Sequence, residues 1–275
     1  MPPARELDPS SSVLAYFGSE LRRYRSAAGI TQERLGEIIS YTGALVGLVE
    51  TARRSPTQDF AERCDAALNT DGALSRLWPL VNRGAFPSWF RGYVELEAAA
   101  ISIRKFEVQA VPGLLQTEAY ARAIITAGRP RDSEEQIEER VAARLGRQAL
   151  LKSVSPPLVW AVLDEAIIRR PVGGAAVMRE QLAYLIKLAN TPHVVLQVLP
   201  FDAGEHAAMD GSLTVISFNE GADVVYVEGP RTGHLVERPE DVRECVMAYD
   251  LARAEALPPA ASVAMIRSTM EGLGT

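Results

Sequence analysis

Cysteine is scarce in this 275-residue chain: only Cys64 and Cys245 occur, both within helix-like sequence. Two lone thiols exclude a disulfide framework and fit a reducing compartment. Histidine is scarce as well. None of the three has a second His or Cys at zinc-ligand spacing, and none has a Ser or Cys nucleophile motif beside it. Phosphate-loop and dinucleotide glycine patterns are missing too. No metal, no cofactor and no enzyme activity are therefore expected. An uninterrupted run of 18 apolar residues is absent, so no membrane span is expected. The first residues lack a basic segment followed by an apolar run, so no secretory signal is expected and a cytoplasmic location follows. Surplus positive charge is also lacking, with 29 basic against 35 acidic residues and a net charge of −6. That balance argues against a protein that coats nucleic acid, because phosphate binding rests on excess Lys and Arg.

What is present is an ordinary globular composition, 47% hydrophobic and 23% charged. The length suits two domains at roughly 100–200 residues each. Divided at residue 85, the chain separates by charge. Residues 1–85 hold ten basic and ten acidic side chains, and the remainder carries the whole −6.

The neutral part reads as short helices. Asp8-Pro9-Ser10-Ser11-Ser12 is a turn and cap signal, and Phe17, Leu21, Tyr24 and Ala28 then share one helical face up to Gly29, a natural stop. Thr31 caps a helix over 32–39, and Thr42 caps a third through about residue 50, with Val46 and Val49 inward. Ser55-Pro56-Thr57-Gln58 reads as a capping box opening a fourth helix with Phe60, Cys64 and Leu68. A fifth, over 72–81, buries Leu74, Leu77 and Trp78. Five short helices, the second and third three residues apart, are the layout of a helix-turn-helix domain.

The run Gly29-Ile30-Thr31-Gln32-Glu33-Arg34-Leu35, followed by Thr42, Val46, Val49-Glu50 and Arg53-Arg54-Ser55-Pro56, resembles the Cro/phage-repressor-like, xenobiotic-response-element type of helix-turn-helix regulator. The resemblance covers about residues 13–80. It implies that the third helix enters the DNA major groove while helix N-termini and nearby side chains hold phosphates. On this basis Gln32 braces the DNA backbone. Thr42, Gly43, Ala44 and Leu45 open the recognition helix, Arg53 and Arg54 touch phosphates, and Glu50 is structural. One departure stands out. Gly43-Ala44-Leu45-Val46-Gly47-Leu48 offers no side-chain donor or acceptor, whereas hydrogen-bonded base reading needs such groups. What remains is apolar contact with thymine methyls, backbone contact permitted by the two glycines, and shape reading. The rival reading is a protein–protein adaptor, antitoxin-like, whose helix-turn-helix no longer reads DNA.

Residues 84–88 break the helical run as a linker, and Trp89-Phe90-Arg91-Gly92-Tyr93 beyond it reads as an aromatic wedge packing the two domains together. From residue 95 to about 152 the pattern is helical. Thr117 caps one helix and the box Ser133-Glu134-Glu135-Gln136 opens another, striped by Ile137, Val141, Leu145 and Ala149. Strands are expected over 158–163 and 193–199, separated by a helix over 175–189. A hairpin follows over 212–218 and 224–228, and two helices close the chain. The fold class is therefore mainly α with an α+β C-terminal domain, divided as 1–85 and 86–275.

Phe86-Pro87-Ser88-Trp89-Phe90, Val111-Pro112-Gly113-Leu114-Leu115-Gln116-Thr117-Glu118-Ala119-Tyr120-Ala121-Arg122 and Leu199-Pro200-Phe201 with Gly204, His206 and Gly211 look like the effector domain of a large actinobacterial regulator group. That resemblance spans about 86–271. It implies a regulator of development or secondary metabolism, often encoded beside a small partner protein, and it identifies no ligand. Trp160, Asp164, Arg169 and His206 are the candidate ligand contacts, since α/β ligands gather at strand ends. Ion-paired surface residues and a polar turn at Gly204 are the plainer account of the same residues. The chain thus reads as a DNA-binding transcriptional regulator with operator DNA as partner. It is expected to be a homodimer, with a C-terminal domain for dimerisation, partner binding or ligand sensing.

Overall fold

The computed structural model describes residues 7–86, 88–230 and 232–273. Pro87 of the expected linker lies outside them, as do the first six residues. Contacts divide the chain into two compact units. One comprises the described residues up to 86 together with 125–149, and the other comprises 88–124 and the chain from 150 onward.

The first unit begins with α1 (Val13–Ala27), α2 (Gln32–Ile38), α3 (Gly43–Glu50), α4 (Gln58–Leu68) and α5 (Ala73–Ala85). The chain continues through α6 (Ser88–Ala99), β1 (Ser102–Glu107) and α7 (Glu118–Gly128) to α8 (Glu134–Arg147). Ser12, Thr31, Thr42 and Thr57 each accept a backbone N–H three residues on, so four helices start where a hydroxyl satisfies an otherwise orphaned donor. At α4 the cap is Thr57, not Ser55. Leu14, Phe17, Leu21, Leu35, Val46 and Phe60 form the centre of the core. α5 extends through Gly84 and Ala85, past the expected break. The contacts do not follow a single cut at residue 85, because α8 packs with the first unit. Ala142 is part of its core, and the Gly146 backbone lies close to Ser55. The Ser133 capping box forms as expected, with reciprocal bonds of 3.3 and 2.8 Å to Gln136.

The second unit is built on a six-stranded mixed sheet, completed by β2 (Leu158–Asp164), β3 (Val194–Leu199), β4 (Leu213–Ser217), β5 (Val224–Gly229) and β6 (Thr232–Val236). The spatial order is β3-β2-β1-β4-β5-β6. β1, β2 and β3 run parallel, and β4 to β6 form an antiparallel meander that joins β1. α9 (Glu165–Arg169) and α10 (Ala175–Leu188) connect β2 to β3, as a parallel pair requires. α11 (Pro239–Glu255) and α12 (Pro259–Gly272) close the chain. Val159, Ala161 and Leu163 pack in one cluster with Met178, Leu182 and Ile266. Val162, Phe106 and Val215 pack in a second with Val242 and Tyr249 of α11.

β1 lies inside the stretch expected to be helical, and it is the strand on which the parallel and antiparallel halves meet. Its sequence, Ser-Ile-Arg-Lys-Phe-Glu, carries three charges that conceal the strand pattern. The fold neutralises them locally: Arg104 Nη2 lies 2.8 Å from Asp223 and Lys105 Nζ 3.2 Å from Glu107. Burial works against the Lys105 charge. Tyr93, Glu107 and Glu97 outweigh it and hold the ammonium well above its ordinary pKa. Phe90 and Tyr93, expected in an interdomain wedge, lie on α6 with rings 6.0 and 4.4 Å from Tyr226 of the same unit.

Candidate nucleic-acid interface

α2 and α3 are joined by residues 39–42. Ser40 is in the left-handed region at φ 61°, and the Tyr41 N–H donates to Gly36 O at 2.8 Å. The two helices approach closely because glycine stands where they meet. A Cβ placed on Gly43 would fall 2.7 Å from Glu33 Cα, and one on Gly47 would fall 2.9 Å from Gln32 Oε1. Both glycines of the recognition helix are therefore turned toward α2. They serve helix packing, because a side chain at either position would meet α2.

Glu50, at the end of α3, is fully buried and ties three helices together. Its carboxylate accepts Arg25 Nε at 2.5 Å and Nη2 at 3.0 Å from α1, and Gln32 Nε2 at 2.7 Å from α2. Arg22 Nε stands 3.7 Å away. A buried carboxylate is tolerable only with such partners. Arg25 also donates to Ile30 O at 2.7 Å, fixing the loop that enters α2. Glu50 thus holds the helix-turn-helix geometry, as the resemblance implied. Gln32 commits one amide hydrogen to this network.

With Val46, Val49 and Glu50 buried and Leu45 half-buried against the core, the exposed side chains of the motif's third helix are Ala44 and Leu48, with Thr42 at its cap. Leu48 is 41% exposed. The resemblance counts Leu45 among the residues that open this helix; the structure half-buries it and exposes Leu48. The helical spacing of Ala44 and Leu48, four apart, was the available signal. After Leu48 the helix closes through Ala52 at φ 56°. The N–H groups of Arg53 and Arg54 both donate to Leu48 O, at 2.8 and 3.2 Å. Their N–H groups are thereby occupied within the turn. Arg53 is exposed and Arg54 half-buried. A groove of about 330 Å³ beside α1 is lined by Ser19, Arg22, Arg23, Ser26 and Glu50.

The four candidate ligand contacts of the second unit are each engaged by neighbouring groups. Trp160 Nε1 donates to Gln197 at 2.8 Å, and its ring stacks under the Arg253 guanidinium at 4.9 Å. Asp164 caps α9 by accepting the Ala166 N–H at 2.8 Å. His206 packs edge-on to Phe106, and its Nδ1 accepts the Ala208 N–H at 3.2 Å. Arg169 bonds Glu165 and lines a groove of about 540 Å³ along α12, with Met265, Ser268 and Thr269. Each has a structural task within its own neighbourhood. Among the described residues no group of three or more His, Cys, Asp or Glu can hold a metal, and no helix is long and apolar enough to cross a membrane.

Residues 17–78 match the family model described as a helix-turn-helix domain, and residues 90–268 match the model described as a domain of unknown function (DUF5753). No curated protein and no solved structure matches the chain.

Proposed function

From the premise that this chain belongs to the DUF5753 family and carries a helix-turn-helix domain ahead of that region, we propose that it is a sequence-specific, DNA-binding transcriptional regulator. The single observation that carries this reading is the arrangement of α1 to α3 around Glu50. A buried carboxylate bonded to Arg25 and Gln32 holds α3 outward, with Thr42, Ala44 and Leu48 exposed on it. α3 lies in the major groove, and Arg53 and Arg54, at its far end, reach the flanking phosphates. Gln32, with one amide hydrogen left over from its bond to Glu50, adds a phosphate contact from α2.

Within helix-turn-helix proteins, the run from Gly29 to Leu35 and the Arg53-Arg54-Ser55-Pro56 segment favour the Cro/phage-repressor-like type. The motifs around Val111–Arg122 favour the actinobacterial effector group. The protein acts as a homodimer on two half-sites, which multiplies the affinity available to one weakly polar helix. The second unit supplies dimerisation, small-partner binding or ligand sensing, and its role is in binding, not in catalysis.

A second reading is favoured by one specific observation, the apolar outer face of α3. In it the domain is an antitoxin-like protein–protein adaptor without DNA affinity. Equilibrium binding of the full-length protein to duplex DNA from upstream of its own coding sequence separates the two. The regulator shifts that DNA at low salt, and the adaptor leaves it unbound at every salt concentration.

A further inference from the structure

The outer surface of α3 is chemically narrow. Gly43 and Gly47 are turned into α2, Val46 and Val49 are buried and Leu45 is packed on the core, so Ala44 and Leu48 present the helix to a ligand. They stand four residues apart on one face and carry hydrocarbon only. Thr42, at the cap, spends an oxygen lone pair on the Leu45 N–H at 3.2 Å and keeps its hydroxyl hydrogen.

The major groove offers these side chains one matching feature. Guanine N7 and O6, adenine N7 and N6, and cytosine N4 all require hydrogen-bond partners, whereas thymine also presents a C5-methyl group. A leucine or alanine set against the polar edges strips their water and returns no bond, which is costly. Set against the thymine methyl, it removes apolar surface from water on both sides.

Resting on the DNA-binding reading above, we infer that Ala44 and Leu48 are specificity-determining residues that select thymine through its C5-methyl group. Base choice by this protein is then apolar, with Thr42 as the hydroxyl donor beside it. Sites rich in thymine on the contacted strand bind well, and guanine or cytosine at those steps is rejected by uncompensated desolvation.

The test keeps the protein intact. Full-length protein selects duplexes from a pool with a randomised core, and each thymine of the enriched site is then replaced singly by deoxyuracil, which removes the methyl and nothing else. At one or two thymines per half-site the uracil duplex binds about three- to fivefold more weakly, the change expected from losing one buried methyl group. Leu48→Ala, at an exposed position, abolishes the thymine–uracil difference at its own step and leaves the other intact. Enrichment of a site whose every uracil variant binds equally well overturns this inference alone. Failure to enrich any sequence overturns the regulator reading together with it.

Discussion

Arg25 is the side chain on which the helix-turn-helix depends most, because it neutralises a carboxylate with no exposure to water. Arg25→Met leaves Glu50 buried with Gln32 and a distant Arg22, and should cost the first unit about 3 kcal/mol. Cys64 reports this directly. Burial, with Asp65 and Glu50 nearby, pushes its thiol up to about 12, so it stays unreactive until the core opens. In a Cys245→Ser background, Arg25→Met should raise the Cys64 labelling rate roughly a hundredfold. An unchanged rate would remove Glu50 from its place in the account.

Asp65 supplies the pH dependence at the same scale. Burial alone would raise its pKa. Hydrogen bonds from Ser75 and Thr70 and from the Leu74 and Ser75 backbones outweigh that and hold it below the ordinary carboxylate range. A depressed folded pKa stabilises fully above the unfolded value and loses that contribution as pH falls through the folded value. Asp65→Asn should therefore speed hydrogen exchange in the 57–81 segment at pH 7. The gap from the natural protein should narrow below about pH 4. A gap that stays constant with pH would mean the charge is not what Asp65 contributes.

At the scale of elements, the two glycines of α3 face α2 at different distances from its backbone and should differ in how much a side chain costs. Gly43→Ala drives a Cβ into the α2 backbone and should destabilise the first unit by about 2 kcal/mol or more. Gly47→Ala meets only the end of the Gln32 side chain, which can shift at the expense of its bond to Glu50, and should cost about 1 kcal/mol. Denaturant-dependent Cys64 labelling measures both. Equal effects would argue that interhelical distance does not set the requirement for glycine.

Elements with a local signal were legible in the sequence. Hydroxyl caps at Ser12, Thr31 and Thr42, the Ser133 box, the apolar run of β2 and the hairpin of β4 and β5 all follow from nearest-neighbour chemistry. β1 was not legible, because its charges are neutralised by Asp223, 119 residues away, and by its own Glu107. The same limit applies to the site. That Glu50 is structural followed from the motif, but which way the glycines and Leu48 face depends on where α2 lies.

At the scale of the whole molecule, the charge account remains the governing constraint. The surplus of acid lies beyond residue 85, so a neutral helix-turn-helix domain shares its chain with an acidic partner. A regulator of this charge, as proposed above, would bind phosphate through a few placed side chains and not through a general positive field. On the proposed regulator reading, affinity for one half-site is accordingly modest, and pairing of two half-sites contributes more than it would for a basic reader.

The decisive measurement is the affinity of full-length protein for its selected duplex as a function of salt, alongside an Arg53→Ala/Arg54→Ala variant. A regulator docked through α3 gives a log–log slope that becomes shallower by about 2 in the variant, with binding weakened similarly across sequences and base preference retained. Identical affinity and slope for the two proteins would contradict the docking of α3 and its following loop on DNA.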